Sequence, residues 1–163
     1  MAKRVKKIPK DLKREEVLGL DIAEHCGFHS MLDTGTWVLT ESKSRNGFKK
    51  HKHFRDTLVN FIKENNIRMI AAEDVNVKTH FRAVVSLSEL RGVLLEVCDE
   101  MDLPEPEFMN VSSLKLFATG NGRASKEEMV QTCTTRYNFT PVDDNNADAF
   151  HVFNFFCRKF NIK

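Results

Sequence analysis

Three acids stand where an acid is costly. Asp21 closes the almost wholly apolar run Val17-Leu18-Gly19-Leu20-Asp21-Ile22, Glu73 follows Met69-Ile70-Ala71-Ala72, and Asp148 sits inside Ala147-Asp148-Ala149-Phe150. A lone carboxylate in such surroundings is unfavourable unless something charged uses it. A single Asp at a strand end also serves as an ordinary turn cap, but three acids in like settings point to one site. Asp144 lies four residues before Asp148, so both face one side of a helix that begins early enough; Asp143 and Asn145 compete with it as ligands, and Asp144 reads equally well as a simple helix cap. Hard oxygen donors from separate elements suit magnesium or manganese. Two such ions about 4 Å apart activate water and stabilise a leaving oxygen, which is the chemistry of phosphodiester hydrolysis.

Positioning these acids needs strands that deliver them and helices that cover the strands. Residues 17–22 read as a buried strand. Residues 23–33, with Cys26 and Gly27, read as a turn, and Thr34 to Thr40 has strand composition. Glu41 to Lys52 is polar and reads as loop. Phe54, Leu58, Phe61 and Ile62 give a helical stripe between His53 and Asn65, and Ile67 to Ala72 is the next apolar strand. Strand, helix, strand in that order predicts a crossover with parallel pairing, which brings Asp21 and Glu73 together at the ends of adjacent strands. Leu87, Leu90, Leu94, Val97 and Met101 mark a long helix from Thr79 to Met101, stopped by Pro104 and Pro106. A short strand over 107–111, one helical turn over 112–117, a helix opened by a Ser125–Glu128 capping box and a last helix carrying Phe150, Phe153 and Phe156 complete the chain.

At 163 residues, 41% apolar and 29% charged, the chain reads as one domain with a real core, residues 17–163, behind a flexible basic extension over 1–16. No run has the length of a membrane span and no apolar signal segment follows the start, so secretion is not expected. The net charge is only +2, but it is unevenly placed. Lys3, Arg4, Lys6, Lys7, Lys10, Lys13 and Arg14 face a single acid, Asp11; a second basic zone runs from Lys43 to Arg55, and a third comprises Lys115, Arg123 and Lys126. Basic zones around a set of acids fit a polyanion held over a metal site. Cys26, Cys98, Cys133 and Cys157 form no Cys-x-x-Cys pair, and Cys26 with His25, His29, His51 and His53 lacks the tight paired spacing of a zinc site; Cys98 and Cys157 read as core thiols.

Together these residues resemble the RuvC family of Holliday junction resolvases, in the ribonuclease H-like superfamily. The first motif resembles Leu18-Gly19-Leu20-Asp21 followed by Gly27, and the second acid falls on Glu73. Arg91-Gly92 occupies the family's Arg-Gly position on the long helix. Lys115, Gly120, Gly122 and Lys126 are similar to its lysine, glycine turn and second lysine, and Ala147-Asp148-Ala149 to its final motif. The resemblance covers about residues 17–160.

It implies an α/β fold with a central mixed sheet flanked by helices. It also implies a homodimer that binds branched DNA at four-way junctions and cuts two opposed strands with Mg2+ or Mn2+, in the cytoplasm or another DNA-containing compartment. Asp21, Glu73 and Asp148 match the metal-binding acids, and Lys115 and Lys126 match lysines at the scissile phosphate. The chain departs from the family at two places. The acid three residues before the last Asp is Asn145, which leaves Asp144 to supply the missing charge. The aromatic wedge three residues after the Glu is Asn76, which leaves junction opening to Phe81 or another group. Other readings are a ribonuclease H-like nuclease acting on RNA–DNA hybrids or flaps, and a catalytically inactive DNA-binding homologue. A sugar-kinase-like nucleotide binder needs a second phosphate-binding half for which 163 residues are too few.

Overall fold

The computed structural model describes residues 7–39, 48–76 and 78–163. Its centre is a five-stranded mixed sheet in the order β3-β2-β1-β4-β5. β1 (Val17–Asp21) pairs antiparallel with β2 (His25–His29), which pairs antiparallel with β3 (Thr34–Val38). On its other side β1 runs parallel to β4 (Met69–Glu73), and β4 runs parallel to β5 (Glu107–Met109). The crossover from β3 to β4 is α1 (Phe48–Asn65), and that from β4 to β5 is α2 (Phe81–Glu100). The chain then forms α3 (Val111–Thr119), α4 (Lys126–Tyr137) and α5 (Asp144–Lys159). Among the described residues, no helix is long and apolar enough to cross a membrane.

The two-residue period of the strands divides the core. Leu18, Leu20, Cys26, Phe28, Ile70 and Ala72 face α1 and α2, meeting Phe54, Leu58, Leu90 and Leu94. Val17, Met69 and Ala71 face the opposite layer, where α5 brings Val152, Phe153 and Phe156. α5 lies unusually close to the sheet because two strand positions have no side chain. A Cβ on Gly19 would stand 2.7 Å from the Ala149 carbonyl oxygen, and one on Gly27 would stand 1.9 Å from that of Asn145.

Gly27 therefore marks close approach rather than a turn. The stretch 23–33, expected as a turn, instead contains β2, whose Cys26, Gly27, Phe28 and His29 are buried between α1 and α5. α1 begins at Phe48, five residues before the expected start; its first turns carry polar residues that give no apolar stripe, yet Lys50 Nζ donates to Ser86 Oγ of α2 at 2.6 Å. The rest of the loop expected over 41–52, with Lys43 and Arg45, lies outside the described residues. α3 is nine residues rather than one turn, capped by the Asn110 side chain and closed by Gly120 at φ 81°. The capping box on α4 is present as expected, with Ser125 accepting from the Glu128 amide.

The first residues also depart from expectation. Leu12 is 6% exposed and joins the α5 side of the core, Ile8 packs beside it, and the Arg14 amide donates to the Lys163 carbonyl at 3.1 Å. Arg68 reaches back to Asp11 and Glu16 at 3.0 and 3.1 Å. Residues 8–16 are thus fastened to the domain rather than forming a flexible lead; residues 1–6, with Lys3, Arg4 and Lys6, lie outside the description. The basic run hid this because seven cations between residues 3 and 14 outweigh the few apolar residues among them.

Candidate active site

β1 and β4 end side by side. Leu20 is in register with Ala72, so the next residues, Asp21 and Glu73, leave adjacent parallel strands at the same edge, about 5 Å apart in backbone. Ligand sites favour this edge, since the strands stop there and side chains converge. Asp148 reaches it from the second turn of α5, carried inward by the approach at Gly27 and Gly19. α3 and α4 close the far side with Lys115 and Lys126. The result is a cavity of about 260 Å³ lined by Asp21, Glu73, Asp148, Lys115, Lys126 and Arg91, with an apolar half including Leu87 and Phe108.

The electrostatics of the acids are those of a site short of positive charge. The carboxyl of Asp21 is held well above the usual carboxylate range, first by burial and then by the neighbouring charges of Glu73 and Asp148. Burial and the Asp148 charge push Glu73 up to about 7. Burial raises Asp148 to about 6, against the opposing pull of Lys126. As placed, no three His, Cys, Asp or Glu side chains among the described residues stand close enough to enclose an ion. The donor set nevertheless fits a hard divalent cation. It is all carboxylate, sits on two strand ends and a helix, and lacks the countercharge such an ion brings.

Asp144 differs. Its side chain does not line the cavity; Oδ2 accepts from Lys126 Nζ at 2.7 Å, and this contact holds its carboxyl below the usual range. The cap of α5 is Asp143, whose Oδ1 accepts from the Asn146 amide at 2.8 Å. Asn145 does not line the cavity either and lies with its backbone carbonyl against Gly27.

Arg91 is inside, with Nη1 donating to Asp74 Oδ1 at 2.8 Å and its guanidinium 3.8 Å from the Phe108 ring centre. Sequence reasoning passed over Asp74, although two successive acids after an apolar run were visible. Asn76 lines the cavity, its Oδ1 accepting from the Lys78 amide at 3.0 Å. Phe81, at the start of α2, is 80% exposed and does not line the cavity; Arg123 is exposed and also lies off it. Among the described residues Cys26 and His29 are not brought together: Cys26 faces α1 and α2, while His29 faces the rings of Phe139, Phe150 and Phe153 across the sheet.

No protein-family profile matches the chain. The chain is 29% identical over 140 residues to the crossover junction endodeoxyribonuclease RuvC of Anaeromyxobacter sp. strain Fw109-5, covering 81% of this chain and 68% of that protein. It is 28% identical over 123 residues to the protein of the same name from Ehrlichia chaffeensis, covering 70% and 77%. The Thermus thermophilus RuvC structure in complex with a Holliday junction substrate superposes with a TM-score of 0.70 at 17% identity, over 88% of this chain and 94% of that one. The chain thus shares its fold with RuvC structures and is similar, along most of its length, to proteins named crossover junction endodeoxyribonuclease RuvC.

Proposed function

We propose that the chain is a structure-selective DNA endonuclease that resolves four-way junctions by hydrolysing phosphodiesters in two opposed strands. The observation that carries this reading is the convergence of Asp21, Glu73 and Asp148 at one strand edge, with Lys115 and Lys126 across the cavity from them. Asp21, Glu73 and Asp148 are the residues to hold magnesium or manganese. When bound, the metal supplies Lewis-acid stabilisation of the phosphate and lowers the pKa of attacking water. The chain's own groups do the rest. Lys115 and Lys126 place mobile point charges over the phosphate whose charge grows as the bond breaks. Asp74 and Phe108 fix the Arg91 guanidinium on two sides, which keeps one cation at the cavity wall without searching for a partner. Asn76 at the rim and the exposed Phe81 are placed to meet the strands entering the site, and Arg123 to meet a phosphate farther out.

A second copy is part of the proposal, since cutting opposed strands needs two sites. α2 is buried along Leu90, Leu94, Val97 and Cys98, while Val85 and Leu95 are 38% and 37% exposed and Val84 is half-buried; Val93, expected with them, packs on the monomer's own core. The uncovered residues are apolar surface suited to a twin helix.

The test compares cleavage of a synthetic four-way junction, an RNA–DNA hybrid, a flap and a linear duplex by the full chain in Mg2+ and in Mn2+. Symmetrical cuts in the junction alone, abolished by Asp148→Asn with junction binding retained, are the expected result. Preferential cutting of the hybrid or flap would move the chain to another ribonuclease H-like substrate. Tight junction binding with no cutting in either metal would make it an inactive homologue.

A further inference from the structure

The four acids expected as metal ligands separate into two kinds. Asp21, Glu73 and Asp148 line the cavity, whereas Asp144 is turned to its rim and bonded to Lys126. The pair stands between the cavity and a shallower hollow lined by Glu127, Val130 and Gln131. Lys126 is the first residue of α4 and its side chain is 71% exposed, so a long, mobile ammonium has, among the described residues, one direct anchor, the Asp144 carboxylate at 2.7 Å.

That anchor is itself immobilised. Asp144 opens α5, and the residues around it are tied to the β2–β3 hairpin. Thr36 Oγ1 donates to Asp143 Oδ1 at 2.7 Å. Asn146, fully buried, donates from Nδ2 to the Phe28 carbonyl at 3.1 Å and to Thr34 Oγ1 at 2.8 Å, and its Oδ1 accepts from the Val142 amide at 3.1 Å. A carboxylate on this rigid first turn is a fixed point from which Lys126 reaches over the cavity.

The geometry points to Asp144 as a positioning residue that holds Lys126 over the reacting phosphate, not as the replacement for the metal-binding acid missing at Asn145. The inference rests on the nuclease reading, and it assigns the two halves of the chemistry to different groups. The cavity acids take the metal, and the Lys126–Asp144 pair serves the phosphate. Removing an anchor leaves the charge in place but lets it wander, and misplacement of a catalytic group by about 1 Å costs up to about a hundredfold in rate.

The experiment uses the full chain with Asp144→Ala, Asp144→Asn, Lys126→Ala and the Asp144→Ala/Lys126→Ala double variant. Single-turnover cleavage of a four-way junction is measured at saturating protein and metal. Mn2+ binding is measured in the absence of DNA by electron paramagnetic resonance, with Asp148→Asn as the control. Asp144→Ala is expected to slow cleavage about tenfold. Asp144→Asn, which keeps an oxygen to accept from Lys126, stays within about threefold of the parent, and the double variant is no slower than Lys126→Ala, as for residues acting as one unit. The Mn2+ affinity of Asp144→Ala stays within about twofold of the parent while that of Asp148→Asn falls about tenfold or more, by the usual weight of a lost ligand.

A Mn2+ affinity in Asp144→Ala reduced as far as in Asp148→Asn would make Asp144 a ligand and overturn the proposal. So would a parental cleavage rate in Asp144→Ala, or a double variant slowed by the product of the two single effects. If the parent cuts no junction, the nuclease reading falls, and the Mn2+ titrations alone still decide whether Asp144 belongs with the metal-binding acids.

Discussion

At Asp21, Glu73 and Asp148 the folded chain holds protons that the unfolded chain has released. Their ordinary values lie near 4, whereas Asp148 is raised to about 6 and Glu73 to about 7. Between about pH 4 and 7 the native state therefore binds more protons at these groups, and their contribution to stability falls as pH rises through that window. His29 works in the opposite sense, since burial lowers it to about 4 and the unfolded chain takes up the proton first. A comparison of variants separates the two. In metal-free buffer Asp148→Asn should be more stable than the parent at pH 8, on the order of 1–2 kcal/mol once solvent screening is allowed for. The difference should fall to about half at pH 5 and vanish only below about pH 4, where Asp148 is protonated in the unfolded chain as well. Thermal melts at the two pH values check this, and equal stability at both would show that Asp148 is not held against its charge. Added Mn2+ should reverse the order at pH 8, because the ion stabilises only the chain that binds it.

At the scale of elements, the site depends on how near α5 comes to the sheet. Gly27 has no open space for a side chain, since its Cβ would meet the backbone carbonyl of Asn145 at 1.9 Å, and backbone cannot swing aside. Gly27→Ala should push the start of α5 outward, costing at least about 1–3 kcal/mol as overpacking does. It should also carry Asp148 away from Asp21. The measurable signature is a lowered melting temperature together with loss of cleavage that excess metal does not restore. Gly92→Ala is the control, because nothing stands within 4 Å of a Cβ there and α2 gains helix propensity. Parental cleavage in Gly27→Ala would mean that α5 does not need that close contact to place its acid.

For the whole molecule the open question is the second copy. Along α2 Phe81, Val85 and Leu95 are left uncovered, while Leu90, Leu94, Val97 and Cys98 are buried in the core with residues of α1 and the sheet. We expect sedimentation equilibrium to give twice the 18.8 kDa chain mass, and Val85→Glu to give the monomer with an unchanged circular dichroism spectrum. The monomer should lose paired cutting of opposed strands before it loses nicking. A dimer that survives Val85→Glu would place the interface elsewhere.

Much of this was legible one residue at a time. A carboxylate after four apolar residues is visible without a fold, which is why Asp21 and Glu73 were read as strand-end acids. The crossover between their strands then required parallel neighbours, as β1 and β4 are. The Ser125–Glu128 cap and the stripe Phe54, Leu58, Phe61 and Ile62 were equally plain, because each is a contact between residues three or four apart. Other features depended on partners far along the chain. Gly27 looked like a turn until α5 was laid on it, and Leu12 looked like part of a loose basic arm until the end of α5 met it. The role of Asp144 was open between cap and ligand. Asp143 took the cap, bonded from Thr36 more than a hundred residues earlier, and Asp144 turned to Lys126 across the gap between two helices. Local spacing determines which residues form an element and where its charges emerge. Which charge finds which partner is decided by packing, because a side-chain contact holds over about 3 Å and only the assembled layers bring distant residues that close.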